Sequence, residues 1–164
     1  MGILEDFRKT DDNRIISGCA HTCKVLNHKT RNRIIINAVC QLRKLNDTYD
    51  SIACSGTSGL MVVPQIAELL DKQIIIVRKH NEKSYSPFHI EGVQPFRYII
   101  VDDLVCSGQT IKHITRSLKE EYPRVKCVGV YCYIPEECAY NTSTAKLFER
   151  DFGTPFLNPC PPRV

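Results

Sequence analysis

The chain has 164 residues, enough for one domain with its own apolar core. A hydrophobic fraction of 43% with 24% charged residues excludes a disordered or fibrous chain, and no apolar run approaches the ~18 residues of a membrane span. The net charge of +4 is mild and the basic residues are spread along the chain, which argues against a nucleic-acid-binding face.

The opening Met1-Gly2-Ile3-Leu4-Glu5-Asp6 lacks the basic-then-apolar layout of a signal peptide. Asp6 stands where myristoylation of Gly2 needs Ser or Thr, so the expected compartment is the cytoplasm. Residues 1–17 alternate in charge, and Ile15-Ile16 suits a short edge strand. Cys19-Ala20-His21-Thr22-Cys23 has the density of a zinc site but not its spacing, and no second ligand pair follows. From Thr30, the expected N-cap, helical periodicity puts Ile35, Ala38, Val39, Leu42 and Leu45 on one face, until Asn46-Asp47 ends the pattern. The basic run Lys29 to Arg33 reads as the solvated first turn of that helix. Nine cysteines are an odd number. Cys40, Cys54, Cys127 and Cys132 fall in apolar segments and read as buried free thiols.

Ser51-Ile52-Ala53-Cys54 is a short predicted strand. It is followed by the small-residue loop Ser55-Gly56-Thr57-Ser58-Gly59 and a helix from near Leu60 through Val63, Ile66, Ala67 and Leu70. A strand, a glycine-bearing turn and a helix present bare backbone amides to an anion, although a loop needing only flexibility would read the same. Gln73 to Val77 is a second buried strand and delivers Arg78-Lys79 at its carboxyl end. The polar stretch from His80 to Gln94, about 15 residues, is long for a compact domain and suggests a mobile functional loop over 80–96.

Arg97 to Thr110 reads R-Y-I-I-V-D-D-L-V-C-S-G-Q-T. Tyr98 to Val101 is apolar and rich in β-branched residues, as in a strand buried on both faces, and Asp102 and Asp103 stand at its end. The turn Cys106-Ser107-Gly108-Gln109-Thr110 leads into a helix with Ile111, Ile114 and Leu118 inward and Lys112, Arg116 and Lys119 outward. Helix amides, the hydroxyls of Ser107 and Thr110 and the bare backbone of Gly108 suit a phosphate. Two carboxylates repel that phosphate and suit instead a neighbouring diol or a divalent cation. The pattern calls for a ligand carrying a phosphate with a diol or metal beside it.

Asp102 to Thr110 resembles the phosphoribosyl-pyrophosphate motif of type I phosphoribosyltransferases, in which four apolar residues, two acids, two apolar residues, a variable one, Thr or Ser, Gly, any residue and Thr follow in order. Gly59 to Ala67 is similar to the helix after the pyrophosphate loop of adenine phosphoribosyltransferases, and Arg78-Lys79 to the strand end that enters the closing loop of orotate and adenine enzymes. The resemblance covers roughly residues 30–133. It implies an α/β fold, a doubly wound, mostly parallel sheet with its ligand across the carboxyl ends of the strands. It also implies a base-binding hood from residues 1–28 and 134–164, where Tyr131, Tyr133, Tyr140 and Phe148 are candidates to stack on a base, with packing the simpler role for each.

The activity so implied is Mg²⁺-dependent transfer of ribose 5-phosphate from phosphoribosyl pyrophosphate to a nucleobase, with pyrophosphate released, in a homodimer. Cys106, Ser107, Gly108, Gln109 and Thr110 would hold the 5-phosphate, and Asp102 and Asp103 the ribose hydroxyls or the metal. Ser55, Gly56, Thr57, Ser58, Gly59, Arg78 and Lys79 would hold pyrophosphate, with Lys79 and Lys83 as catalytic lysines; Lys83 lies near, not at, the spacing of the orotate loop lysine. Cys106 stands where 6-oxopurine enzymes carry an Asp, which points to an orotate-like or adenine-like acceptor. A regulator that senses the same sugar diphosphate on the same fold is the alternative.

Overall fold

A computed structural model of the chain describes residues 18–79 and 85–158. Five strands form one sheet: β1 (Ser51–Cys54), β2 (Gln73–Val77), β3 (Ile90–Gly92), β4 (Arg97–Asp102) and β5 (Lys126–Cys132), in the order β3-β2-β1-β4-β5. β1 is parallel to β2 and β4, β4 is parallel to β5, and β3 runs antiparallel to β2 at the edge. The helices are α1 (Ala20–Leu26), α2 (His28–Leu42), α3 (Gly56–Leu60), α4 (Val63–Leu70), α5 (Gln109–Glu121) and α6 (Ala145–Phe152).

Side-chain alternation along the strands divides the core between two faces. Ile52, Cys54, Ile99 and Val101 point to one face, where α2 and α4 contribute Ala38, Leu42, Val63, Ile66 and Leu70. Ala53, Tyr98, Ile100 and Val130 point to the other, covered by Ile111, Ile114 and Leu118 of α5 and by Phe148 of α6. Burial of each large aliphatic or Phe side chain among these stabilises by roughly 2 kcal/mol, so the fold rests on both layers. The helix after β1 therefore packs on one face and the helix after β4 on the other. Between these neighbouring parallel strands a crevice opens at the carboxyl ends, the place where open α/β sheets bind ligands.

Four local expectations change. α2 is capped by Asn27, whose carboxamide oxygen accepts from the Lys29 and Thr30 amides at 3.0 and 3.2 Å, so Thr30 lies inside the first turn. A 3-10 turn over Arg43–Thr48 extends α2 past its last α-helical residue. Cys40 is exposed because it lies off the face shared by Ile35, Ala38, Val39 and Leu42, whereas Cys54 and Cys132 are buried as expected. Within the predicted loop 80–96, Ile90–Gly92 pairs with β2. There the strand runs so close that a Cβ on Gly92, at φ +130°, would meet the Ile74 carbonyl. Residues 1–17, 80–84 and 159–164, and with them Ile15-Ile16, His80, Lys83 and Cys160, lie outside the described residues.

The C-terminal segment lies against the sheet. Phe156 bridges to Val130 in parallel, Asn158 bonds the backbone of Cys132, and Phe148 stacks on Phe156 at 4.8 Å. At the N-terminal end, Lys24 of α1 bonds Glu137 at 2.6 Å and His21 lies 2.8 Å from the same carboxylate. Cys23 is buried, and no group of three or more His, Cys, Asp or Glu side chains among the described residues is placed to hold a metal. No helix among them is long and apolar enough to cross a membrane.

Candidate active site

At the end of β4, Asp102 is 7% exposed and Asp103 half-buried. The two carboxylates fold back on their own turn: the Asp103 amide donates to Asp102 Oδ1 at 3.0 Å and the Leu104 amide to Asp103 Oδ1 at 2.7 Å. Neither forms an ion pair among the described residues. Burial, reinforced by the charge on Asp103, pushes the Asp102 carboxyl up to about 7.

The chain leaving β5 braces this acidic turn. Tyr133 and Ile134 donate their amides to the carbonyls of Asp102 and Asp103 at 3.1 and 2.8 Å, and Ala139 donates to the Val105 carbonyl at 2.8 Å. Cys138 Sγ accepts the Val105 amide at 3.4 Å. Held in this way, Val105 is buried while Cys106 and Ser107 stand out toward solvent. Gly108 then turns the chain at φ +73° and opens α5 as an N-cap without a side chain, the Ser107 hydroxyl accepting the Gln109 amide at 3.5 Å. A Cβ on Gly108 would lie 2.1 Å from the Phe152 ring, so the close approach it permits is to α6 as well as to any ligand.

Across the crevice, Ser55 is 3% exposed and its hydroxyl has no hydrogen-bond partner among the described residues. Gly56, again at φ +73°, starts α3, which also lacks a side-chain cap. The predicted loop is thus the first turn of a five-residue helix, and its leading amides have no intrahelical acceptor. The Lys79 ammonium reaches over this turn, 3.5 Å from where a Gly56 Cβ would stand.

Ser55, Ser58, Lys79, Asp102, Asp103 and the whole turn from Leu104 through Ile111 line one cleft of about 190 Å³. Larger cavities among the described residues lie outside α5, of about 710 Å³, and between α2 and the end of β5, of about 520 Å³. Among the described residues, two uncapped helix starts, a carboxylate pair, a buried hydroxyl and a lysine converge on the smaller cleft.

Two residues expected at the pyrophosphate end point elsewhere. The Arg78 guanidinium is held by Glu91 of β3 at 2.9 Å, because the antiparallel strand brings that carboxylate alongside. Gly59 is buried against Cys54, where a Cβ would come within 2.7 Å, so it serves the seating of α3 on β1. Of the stacking candidates, Tyr131, Tyr133 and Phe148 are buried and Tyr140 packs edge-on against Phe148 and Phe152. The bracing roles of Tyr133, Cys138 and Phe152 had no signal in the sequence.

A family model described as phosphoribosyl transferase domain matches residues 21–150. The chain is 27% identical over 127 residues to orotate phosphoribosyltransferase of Coxiella burnetii, covering 75% of this chain and 61% of that protein. It is 29% identical over 91 residues to the transcriptional regulator GfcR of Thermoplasma acidophilum, covering 54% of this chain and 46% of that one. The chain thus spans less than two thirds of the length of these relatives. Among solved structures, orotate phosphoribosyltransferase of Francisella tularensis superposes with a TM-score of 0.61 at 14% identity, over 92% of this chain and 76% of that one, a likeness of fold.

Proposed function

The chain belongs to the phosphoribosyl transferase domain family, and from that premise we propose that its cleft transfers ribose 5-phosphate from phosphoribosyl pyrophosphate to a nucleobase, releasing pyrophosphate. The observation that carries this reading is the convergence of the Asp102–Asp103 pair with two uncapped helix starts on one cleft. The start of α5 with Ser107 and Thr110 binds the 5-phosphate, and the aspartates take the ribose hydroxyls. Gly56, Thr57 and Ser58, with Lys79, take the pyrophosphate and stabilise the charge it gains on leaving. The buried negative field of the aspartates favours the positive charge that builds on the ribose, more in the transition state than in the ground state.

The site suits Mg²⁺ as a partner of the substrate. Two carboxylates, each with one oxygen uncommitted to the backbone, match an ion that takes one or two protein ligands and fills its shell from phosphates and water. Bound there, Mg²⁺ would supply charge neutralisation at the diphosphate. Asp102 and Asp103 are the residues that would hold it.

Cys106 stands exposed at the rim of the cleft, with no carboxylate at that position to accept a proton from a 6-oxopurine. Orotate-like or adenine-like acceptors therefore fit better. The matches to GfcR regulators favour one second reading, a protein that binds the sugar diphosphate without turning it over. A pyrophosphate-release assay with phosphoribosyl pyrophosphate, Mg²⁺ and a panel of bases separates the two. Turnover with one base class supports the transferase, binding without turnover on any base supports the regulator, and absence of binding removes both.

A further inference from the structure

The two halves of the cleft follow different strands, and Tyr133 bonds to both. Tyr133 donates its amide to the Asp102 carbonyl at 3.1 Å, and its phenol hydroxyl donates to the Ser58 carbonyl at 3.1 Å. That carbonyl needs an outside partner. α3 tightens at its end, so that the Val62 amide bonds Gly59, at 3.1 Å, and the Tyr133 hydroxyl satisfies Ser58. Its ring is 7% exposed and lines the neighbouring cavity of about 520 Å³, while Ser58 lines the motif cleft. The hydroxyl thus reaches the turn from behind, without entering the cleft.

We propose that Tyr133 is a positioning residue that sets the Ser55–Gly59 turn, the pyrophosphate side of the cleft, at a fixed distance from the Asp102–Asp103 side. The assignment rests on the transferase-family reading of the cleft. The geometry gives it a direction: the acidic turn is held by five further bonds, one each with Ile134, Ala139 and Cys138 and two to its own carboxylates, so it does not depend on the tyrosine hydroxyl. The short α3 lacks a side-chain cap and is the side that would drift.

The experiment compares wild type with Tyr133→Phe, which keeps the ring and removes only the hydroxyl. Binding of pyrophosphate and of ribose 5-phosphate, each with Mg²⁺, is measured by titration calorimetry, and folding by thermal melting. The expected result is a loss of roughly fivefold in pyrophosphate affinity, the scale of one hydrogen bond. Ribose 5-phosphate affinity should stay within about twofold, since the half of the cleft that binds it keeps every bond. Equal pyrophosphate affinity in both proteins overturns the assignment alone. So does equal weakening of both probes, or failure of the variant to fold, because either makes the hydroxyl a structural support. A wild-type protein that binds neither probe overturns the reading of the cleft, and the assignment with it.

Discussion

The molecule uses one device twice, at the ends of β1 and of β4, and the two copies differ. Each is a strand, a glycine at φ +73° and a helix start without a side-chain cap. After β4 the device carries two carboxylates, a 13-residue helix and braces from the chain beyond β5. After β1 it carries only hydroxyls and a five-residue helix, with a lysine swung over it from β2. On the proposed reading, the carboxylates fit the first turn to a sugar diol or a metal, and their lack leaves the second a cradle for another anion. A ligand with phosphate at both ends and a ribose between them matches that asymmetry.

The largest effect should come from neutralising the distinctive half. Asp103→Asn should lower turnover on the order of 100-fold, the scale of removing one transition-state electrostatic partner, while the melting temperature is kept. Steady-state pyrophosphate release checks it, and unchanged kinetics would make the two copies equivalent.

The two glycines sharpen the comparison, because their backbones are alike and their surroundings are not. Gly108→Ala puts a Cβ into the Phe152 ring and should cost about 3 kcal/mol of stability, strain and overpacking combined. Gly56→Ala meets only the flexible end of Lys79, at 3.5 Å. It should cost about 1 kcal/mol, from its left-handed backbone. Chemical denaturation of both variants decides this, and equal losses would show that space around the turn is irrelevant.

A pH experiment isolates the buried carboxylate. Asp102 is raised from 3.8 to about 7 in the folded chain. The stability it contributes is therefore full below the unfolded value and lost as pH rises through about 7. Between pH 5 and pH 8 the unliganded protein should lose on the order of 2 kcal/mol from this group, and Asp102→Asn should flatten that fall. Melting temperatures across the range test it, and an unaltered slope in the variant would place the titration elsewhere.

Smallest is the contrast between adjacent cations. Lys79→Gln should weaken pyrophosphate binding roughly tenfold, the loss of a charged hydrogen-bond donor. Arg78→Gln should change it less than about twofold, since Arg78 is spent on Glu91. Matching losses in a calorimetric titration would return Arg78 to the site.

Much of this was legible in the residues. Tyr98 to Val101 and Gln73 to Val77 read as buried strands because parallel strands covered on both faces are apolar without alternation, and both are strands. Asp102, Asp103 and the turn to Thr110 could be placed because their whole geometry is local: a strand end, a turn and a helix start. What was hidden depends on distant contacts. Arg78 read as a ligand-binding cation, and in the fold β3 brings Glu91 beside it; Gly108 lines the cleft, and α6 in addition sets Phe152 against it. Tyr133 touches a carbonyl 75 positions away, a pairing no spacing rule reaches.

The central claim is that the acidic turn after β4 and the bare turn after β1 grip a single sugar diphosphate. Its most direct test is calorimetric titration of phosphoribosyl pyrophosphate with Mg²⁺ into wild type, Asp102→Asn/Asp103→Asn and Lys79→Gln. The account predicts one site per chain in the wild type, weakened at least about tenfold by the double aspartate change and by roughly the same factor at Lys79. Binding of equal strength in all three proteins, or none in the wild type, would contradict it.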